Sequence, residues 1–191
     1  MKMIRKSTEA EMVWAFLNME YKSSRFHEKL DKIIKEREID KSIIGDEFFS
    51  LAWADAKRIE LLSEYRGYPD SGLFENYPKN IQWKLMMLEE GDIENLRYID
   101  YSYWNELSKG TSKPTIGAMT VKLGEEIFNV SNDGFYDGVK ALESGVEFPP
   151  IILITKDEQE YMILEGHQRA TVYGMIPGSE SGTKAYVGVY K

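Results

Sequence analysis

Glu165-Gly166-His167-Gln168-Arg169-Ala170 is the stretch that decides how this chain is read. Two apolar runs precede it, Ile151-Ile152-Leu153-Ile154 and Tyr161-Met162-Ile163-Leu164, with the polar turn Thr155 to Glu160 between them. The first run is apolar throughout, as a strand buried on both faces is. The second returns from it as a hairpin partner. The spacing then predicts a short helix that opens at the glycine and stops at Gly174. A carboxylate, a glycine, an imidazole and a guanidinium are thereby gathered where a strand becomes a helix. First-turn N–H groups lack partners inside their helix, and the helix dipole favours negative charge there. Such a turn is a candidate cradle for phosphate or another anion.

Worked outward, the block Phe148-Pro149-Pro150-Ile151-Ile152-Leu153-Ile154, the polar turn, Tyr161 to Leu164 and the Glu165–Ala170 turn resembles the ParB/sulfiredoxin-like superfamily. Members share a proline-led strand, a hairpin return and a Gly-x-x-Arg turn entering a helix. Partition proteins carry Gly-Glu-Arg-Arg, sulfiredoxins Gly-Gly-Cys-His-Arg, and free-serine kinases Asp-Gly-His-His-Arg. The present turn is most similar to the last, with Glu165 for Asp and Gln168 for the second His. The resemblance spans roughly the last 75 residues, a fraction of one ordinary domain. It implies a nucleotide (ATP, ADP or CTP), with or without Mg²⁺, whose phosphates sit at the turn. It leaves the reaction open, since one fold hosts several functions.

Composition bounds the rest. The chain has 191 residues, 42% hydrophobic and 13% aromatic, enough for a real core. There are 32 acids against 24 bases, a net charge of −8. That is the wrong sign for a general nucleic-acid binder, and no strong duplex DNA binding is expected. The absence of cysteine excludes disulfides, thiolate metal sites and cysteine catalysis, sulfiredoxin chemistry included. With no apolar signal core after Met1–Ser7 and no run long enough to span a bilayer, a cytoplasmic protein without membrane contact is expected.

The first half reads helical. Ser7 or Thr8 is placed to cap a helix carrying Val13, Trp14, Leu17 and Tyr21 on one face, with Glu11 at capping-box spacing from Thr8. Phe26, Leu30, Ile33 and Ile34 mark a second helix. A third is expected from about Asp46, with Phe48, Phe49, Ala52, Ala56, Ile59 and Leu62 as its inner stripe, ending near Gly67. Gly67 to Lys79 is a turn-rich loop. A further helix is expected from Ile81, bearing Trp83, Leu85, Met86 and Leu88. Lys109-Gly110-Thr111-Ser112-Lys113-Pro114 marks the boundary: a mainly helical region over 1–113 and an α+β region over 114–191. Beyond it, Met119 to Leu123 alternates as a strand does. Phe135, Val139 and Leu142 have helical spacing, and Ala185 to Val189 is a last strand. The fold class is α+β, a helical N-terminal part packed on a small mixed sheet.

For chemistry, Arg169 offers a fork of donors suited to phosphate, or an ion pair with Glu165. His167 suits a ligand oxygen or a proton, or is an ordinary turn histidine; with His27 the only other, a histidine-rich metal site is out. Glu165 stands where the kinase-like relatives carry Asp, fit to take a proton or hold Mg²⁺, or to cap the helix. Glu126 lies where superfamily members place the opening strand. The expected set is therefore Glu165, His167 and Glu126 for catalysis and Gly166, His167, Gln168 and Arg169 for phosphate, with no resident metal ligands. The leading reading is a nucleotide- or phosphate-binding protein with Mg²⁺-dependent phosphotransfer or nucleotide hydrolysis as its reaction, and the partner is a nucleotide or another phosphorylated small molecule. The alternative is a non-catalytic module that binds a protein or nucleic acid.

Overall fold

The computed structural model describes residues 1–191. In chain order the elements are β1 (Lys2–Lys6), α1 (Glu9–Lys22), α2 (His27–Glu36), α3 (Ala52–Arg66), β2 (Gln82–Met87), β3 (Leu96–Arg97), α4 (Ser102–Leu107), α5 (Pro114–Lys122), α6 (Asp133–Glu143), β4 (Ile151–Thr155), β5 (Tyr161–Glu165), α7 (His167–Met175) and β6 (Lys184–Val189). Seven helices and a six-stranded mixed sheet make this an α+β fold. No helix is long and apolar enough to cross a membrane.

The chain forms two compact units, one of Ser7–Trp83 and one of Met1–Lys6 with Lys84–Lys191. The boundary expected near residue 113 lies inside the second of these. Residues 84–113 supply β3, α4 and most of β2 to the sheet unit, and β1 joins it from the far end of the sequence.

In the helical unit, α1 begins as its sequence predicts. The Thr8 hydroxyl accepts the Glu11 N–H at 3.2 Å, and Ser7 donates to the Glu11 carboxylate at 2.7 Å. Helix α2 buries Leu30, Ile33 and Ile34. Helix α3 departs from expectation. It starts at Ala52 rather than near Asp46, and it buries Ala54, Arg58, Leu61, Leu62 and Tyr65. Ala52, Ala56 and Ile59 face solvent instead. The cause is Arg58, which has no solvent exposure. Its Nε donates to the Ile43 carbonyl at 2.6 Å, and its Nη1 donates to the Phe49 carbonyl at 2.9 Å and to Asp55 at 2.6 Å. The rings of Phe48 and Phe49 flank the guanidinium at 5.3 and 4.8 Å. A buried cation needs such partners, and finding them turns α3 so that Arg58 points inward. Gly67 ends the helix with a left-handed φ of 85°.

In the sheet unit the strand order is β1-β2-β6-β4-β5-β3. Strand β4 lies between β6, parallel to it, and β5, antiparallel to it. Ile151, Ile152, Leu153 and Ile154 are all buried, which is why this run carries no polar alternation. Segment 82–87, expected as helix, is strand. Trp83 and Leu85 recur at period two, and Lys84 between them is half-exposed. Segment 119–123, expected as strand, is the end of helix α5 (Pro114–Lys122) and its C-cap Leu123. Pro114 occupies the first turn of α5, where a missing N–H is harmless, so the proline opens the helix rather than ending a domain.

Helix α7 is the hub of this unit. Ala170 and Tyr173 pack on the sheet with Ile151, Leu153, Ile163, Ala185 and Val187. Val172 and Met175 pack on Leu107, Ala118, Val121, Ile127 and Phe135. Gly174 does not stop the helix, which continues to Met175. A Cβ there would lie 3.0 Å from the Ala118 Cβ and 3.2 Å from the Pro114 carbonyl oxygen. The glycine lets α5 and α7 approach closely.

Candidate functional site at the start of helix α7

Strand β5 ends in a bulge. Ile152 pairs with Glu165 but Leu153 with Ile163, so the register shifts where the strand meets the turn. Gly166 follows with φ 101° and ψ 22° and forms the N-cap of α7. A Cβ at this position would lie 2.6 Å from Ile151 Cγ2. Both the left-handed backbone and the space therefore demand glycine. Having no side chain, Gly166 cannot cap the helix. Ala170 N donates to the Gly166 carbonyl, and the His167 and Gln168 N–H groups make no hydrogen bond within the protein. Two orphan donors are left at the positive end of the helix.

The second feature is the start of α6. Gln168 Nε2 donates to the Gly134 carbonyl at 2.8 Å. The α6 N-cap residue, Asn132, does not cap the helix with its side chain; its Nδ2 donates to the Glu125 carbonyl at 3.0 Å. Ser131 Oγ accepts the Asp133 N–H at 3.1 Å. The first turns of α6 and α7 therefore meet through Gln168, with Gln168 and Gly134 both exposed.

The remaining expected residues are held within the fold. Arg169 Nη2 is paired with the Glu165 carboxylate, and Nη1 donates to the carbonyls of Pro149 at 2.6 Å and Pro150 at 2.7 Å. The guanidinium locks the proline-led entry of β4 to the exit of β5. The ring of His167 points away from the turn. It stacks on Trp104 at 5.1 Å and 13°, and on Tyr98 at 6.0 Å and 24°. Its ring bonds the Ile163 backbone carbonyl, while Nε2 is shut off from solvent without a partner. Burial, with the nearby Arg169 charge, pushes its pKa down to about 3, so the imidazole is neutral at physiological pH. Below it, Tyr98 and Thr171 hydroxyls lie 2.6 Å apart, and Thr171 donates to the His167 carbonyl at 2.9 Å.

Glu126 stands apart. It is exposed on the loop between α5 and α6, and no hydrogen bond or ion pair joins it to Glu165. No group of three or more Asp, Glu or His side chains is gathered as a metal site.

No protein-family model, curated protein or solved structure matches this chain.

The likeness of the turn to the ParB/sulfiredoxin-like superfamily thus stands on its own residues. Geometry brings Glu165, Gly166, Gln168 and Arg169 together and adds Gly134, the end of the Asn129–Gly134 loop, which the resemblance sets beside the nucleotide. The available signal was Asn132-Asp133-Gly134, a helix start free to meet another. Tyr98 and Trp104 serve as packing around His167.

Proposed function

We propose that the junction of α6 and α7 binds the phosphate of a nucleotide or another phosphorylated small molecule. The observation that carries this is the uncapped start of α7 behind a left-handed Gly166, with Gln168 tying it to the start of α6. Two orphan N–H groups lie at the positive end of α7, which Gln168 joins to the start of α6 at Gly134. The superfamily resemblance implies an anion at the same turn.

The function is binding rather than turnover. Glu165 is neutralised by Arg169, and the His167 ring is turned into an aromatic cluster, so neither is poised to move a proton at the turn. Mg²⁺ usually takes one or two carboxylates together with the substrate's phosphates. Asp133, exposed and unpaired at the first turn of α6, is the carboxylate that would meet such an ion.

The test is calorimetric titration with ATP, ADP, CTP and inorganic phosphate, with and without Mg²⁺, on wild type and Gln168→Ala. Gln168 is exposed, so its loss leaves the fold intact. Saturable binding weakened by Gln168→Ala is expected. Equal affinity of the two proteins for every ligand would contradict the reading.

A further inference from the structure

Three cations and two aromatic rings alternate where α2 begins and α3 ends. The Arg66 guanidinium lies 4.6 Å from the centre of the Phe26 ring and 4.5 Å from that of Tyr65. The Arg25 guanidinium lies 5.0 Å from the same Phe26 ring, and the Lys29 ammonium 5.1 Å from the same Tyr65 ring. Each ring is shared by two cations, so the five side chains form one continuous cluster within the helical unit. Attraction of a cation to the face of a ring explains why each cation meets an aromatic. It does not explain why three cations share two rings, since they repel one another.

Acids do not balance this cluster. The buried Glu20 carboxylate accepts from Arg66 Nη2 and from the Tyr65 hydroxyl, and so answers Arg66 alone among the cations. Arg66 is committed to that pair, with its Nε shut off from solvent. Arg25 and Lys29 are exposed and make no hydrogen bond or ion pair. Glu28, beside Lys29 in sequence, is exposed and pairs with neither. The other lysines of α1, α2 and α3 are matched: Lys22 with Asp46, Lys32 with Glu36, Lys35 with Asp31 and Lys57 with Glu60. In a chain of net charge −8, two unmatched cations gathered beside a third reverse the local sign.

Arg25 and Lys29 also stand against the dipole of α2. The positive end of a helix favours acids, and added cations there are unfavourable. Phe26, the N-cap residue, supplies no side-chain acceptor for the first-turn N–H groups. An anion held by Arg25 and Lys29 relieves both their mutual repulsion and their opposition to the dipole.

We propose that this cluster is a second anion site and takes the phosphate group of a phosphate monoester. Arg25 and Lys29 are its contacts, and Phe26, Tyr65 and Arg66 support them from behind. Arg25 offers a planar fork to two phosphate oxygens, and Lys29 a point charge. A phosphate monoester carries about two negative charges near pH 7, more than a phosphodiester or a carboxylate, and gains the most from paired cations. The proposal does not rest on phosphate binding at α7, which belongs to the other unit.

The test is NMR of the full chain titrated with inorganic phosphate at pH 8, where the dianion dominates, beside acetate at matched ionic strength. Saturable movement of the Arg25 Nε–H and of the Glu28 and Lys29 amides is expected with phosphate and not with acetate. Arg25→Gln and Lys29→Gln should each raise the midpoint at least about tenfold, as loss of a charged hydrogen bond does. Glu28→Gln should lower it, and Gln168→Ala should leave it unchanged. Both cations are exposed, so thermal unfolding of their variants should hold or rise as repulsion is relieved. Glycerol phosphate and a phosphoserine peptide then separate a small molecule from a modified protein as the source; saturable binding of either upholds the site. Movement here while the α7 resonances stay fixed upholds this site and contradicts the other. Resonances of this turn that stay fixed, that move equally with acetate, or whose midpoint is the same in both glutamine variants and wild type would overturn the proposal.

Discussion

Arg169 and Glu165 form an ion pair across the turn from β5 into α7, and the same guanidinium ties down the carbonyls of Pro149 and Pro150. The side chain best shaped to grip a phosphate is thus committed to the fold. Arg169→Ala should therefore act first on stability. It removes a charged pair that is mostly shielded from solvent and strands two carbonyls, a loss of about 2–4 kcal/mol. Urea denaturation checks this. Arg169→Lys should recover only part, because an ammonium cannot reproduce the planar fork.

The same pair sets a competition at the turn. If an anion draws on Arg169, it does so against Glu165. Glu165→Gln removes the rival charge and should tighten phosphate binding, by about tenfold for each 1.4 kcal/mol released. Weaker or unchanged affinity would show that Arg169 has no part in the site.

Gly166 and Gly110 allow two costs to be separated. Gly110 has φ 75° with nothing near its missing Cβ, while Gly166 has φ 101° with Ile151 Cγ2 only 2.6 Å from it. Gly110→Ala should cost about 1–2 kcal/mol, the conformational penalty alone. Gly166→Ala adds the overpacking penalty and should cost about 2–5 kcal/mol in all. Equal losses in the two variants would mean that the close approach to Ile151 is absent in solution.

His167 makes stability depend on pH. Its pKa is depressed to about 3 from the usual 6.5, so below pH 6.5 the unfolded chain binds a proton that the folded chain refuses. Its contribution is therefore fully present above pH 6.5 and is lost as pH falls towards 3. Between pH 7 and 5 the residue alone should remove about 2 kcal/mol. His167→Phe keeps a ring against Trp104 and should lose that part of the pH dependence. Identical slopes in chemical denaturation would contradict it.

Much of the site's scaffold was legible in the sequence because its signals agree. Ile151 to Ile154 is apolar at every position, as a strand bonded on both sides must be. The glycine at 166 separates a strand pattern from a helical one. Thr8 and Glu11 announce α1. Elsewhere local signals conflicted with tertiary packing. Pro114 reads as a breaker, yet it is a good first-turn residue, and the alternation at 119–123 also fits a helix. Met86 and Met87 blur the period-two pattern of β2. Arg58 could not be placed in a core from its type, since only its three acceptors and two aromatic neighbours make burial tolerable. The contact between Gln168 and Gly134 joins residues 34 positions apart, beyond the reach of any local pattern.

The central claim is that the His167 and Gln168 N–H groups receive an anion. Amide chemical-shift mapping during titration with inorganic phosphate, and then with ATP and Mg²⁺, tests it most directly. The expected result is saturable movement of the His167, Gln168 and Gly134 resonances, with midpoints shifted to higher ligand in Gln168→Ala. Resonances at the start of α7 that stay fixed while others move, or that do not move at any ligand concentration, would contradict the account.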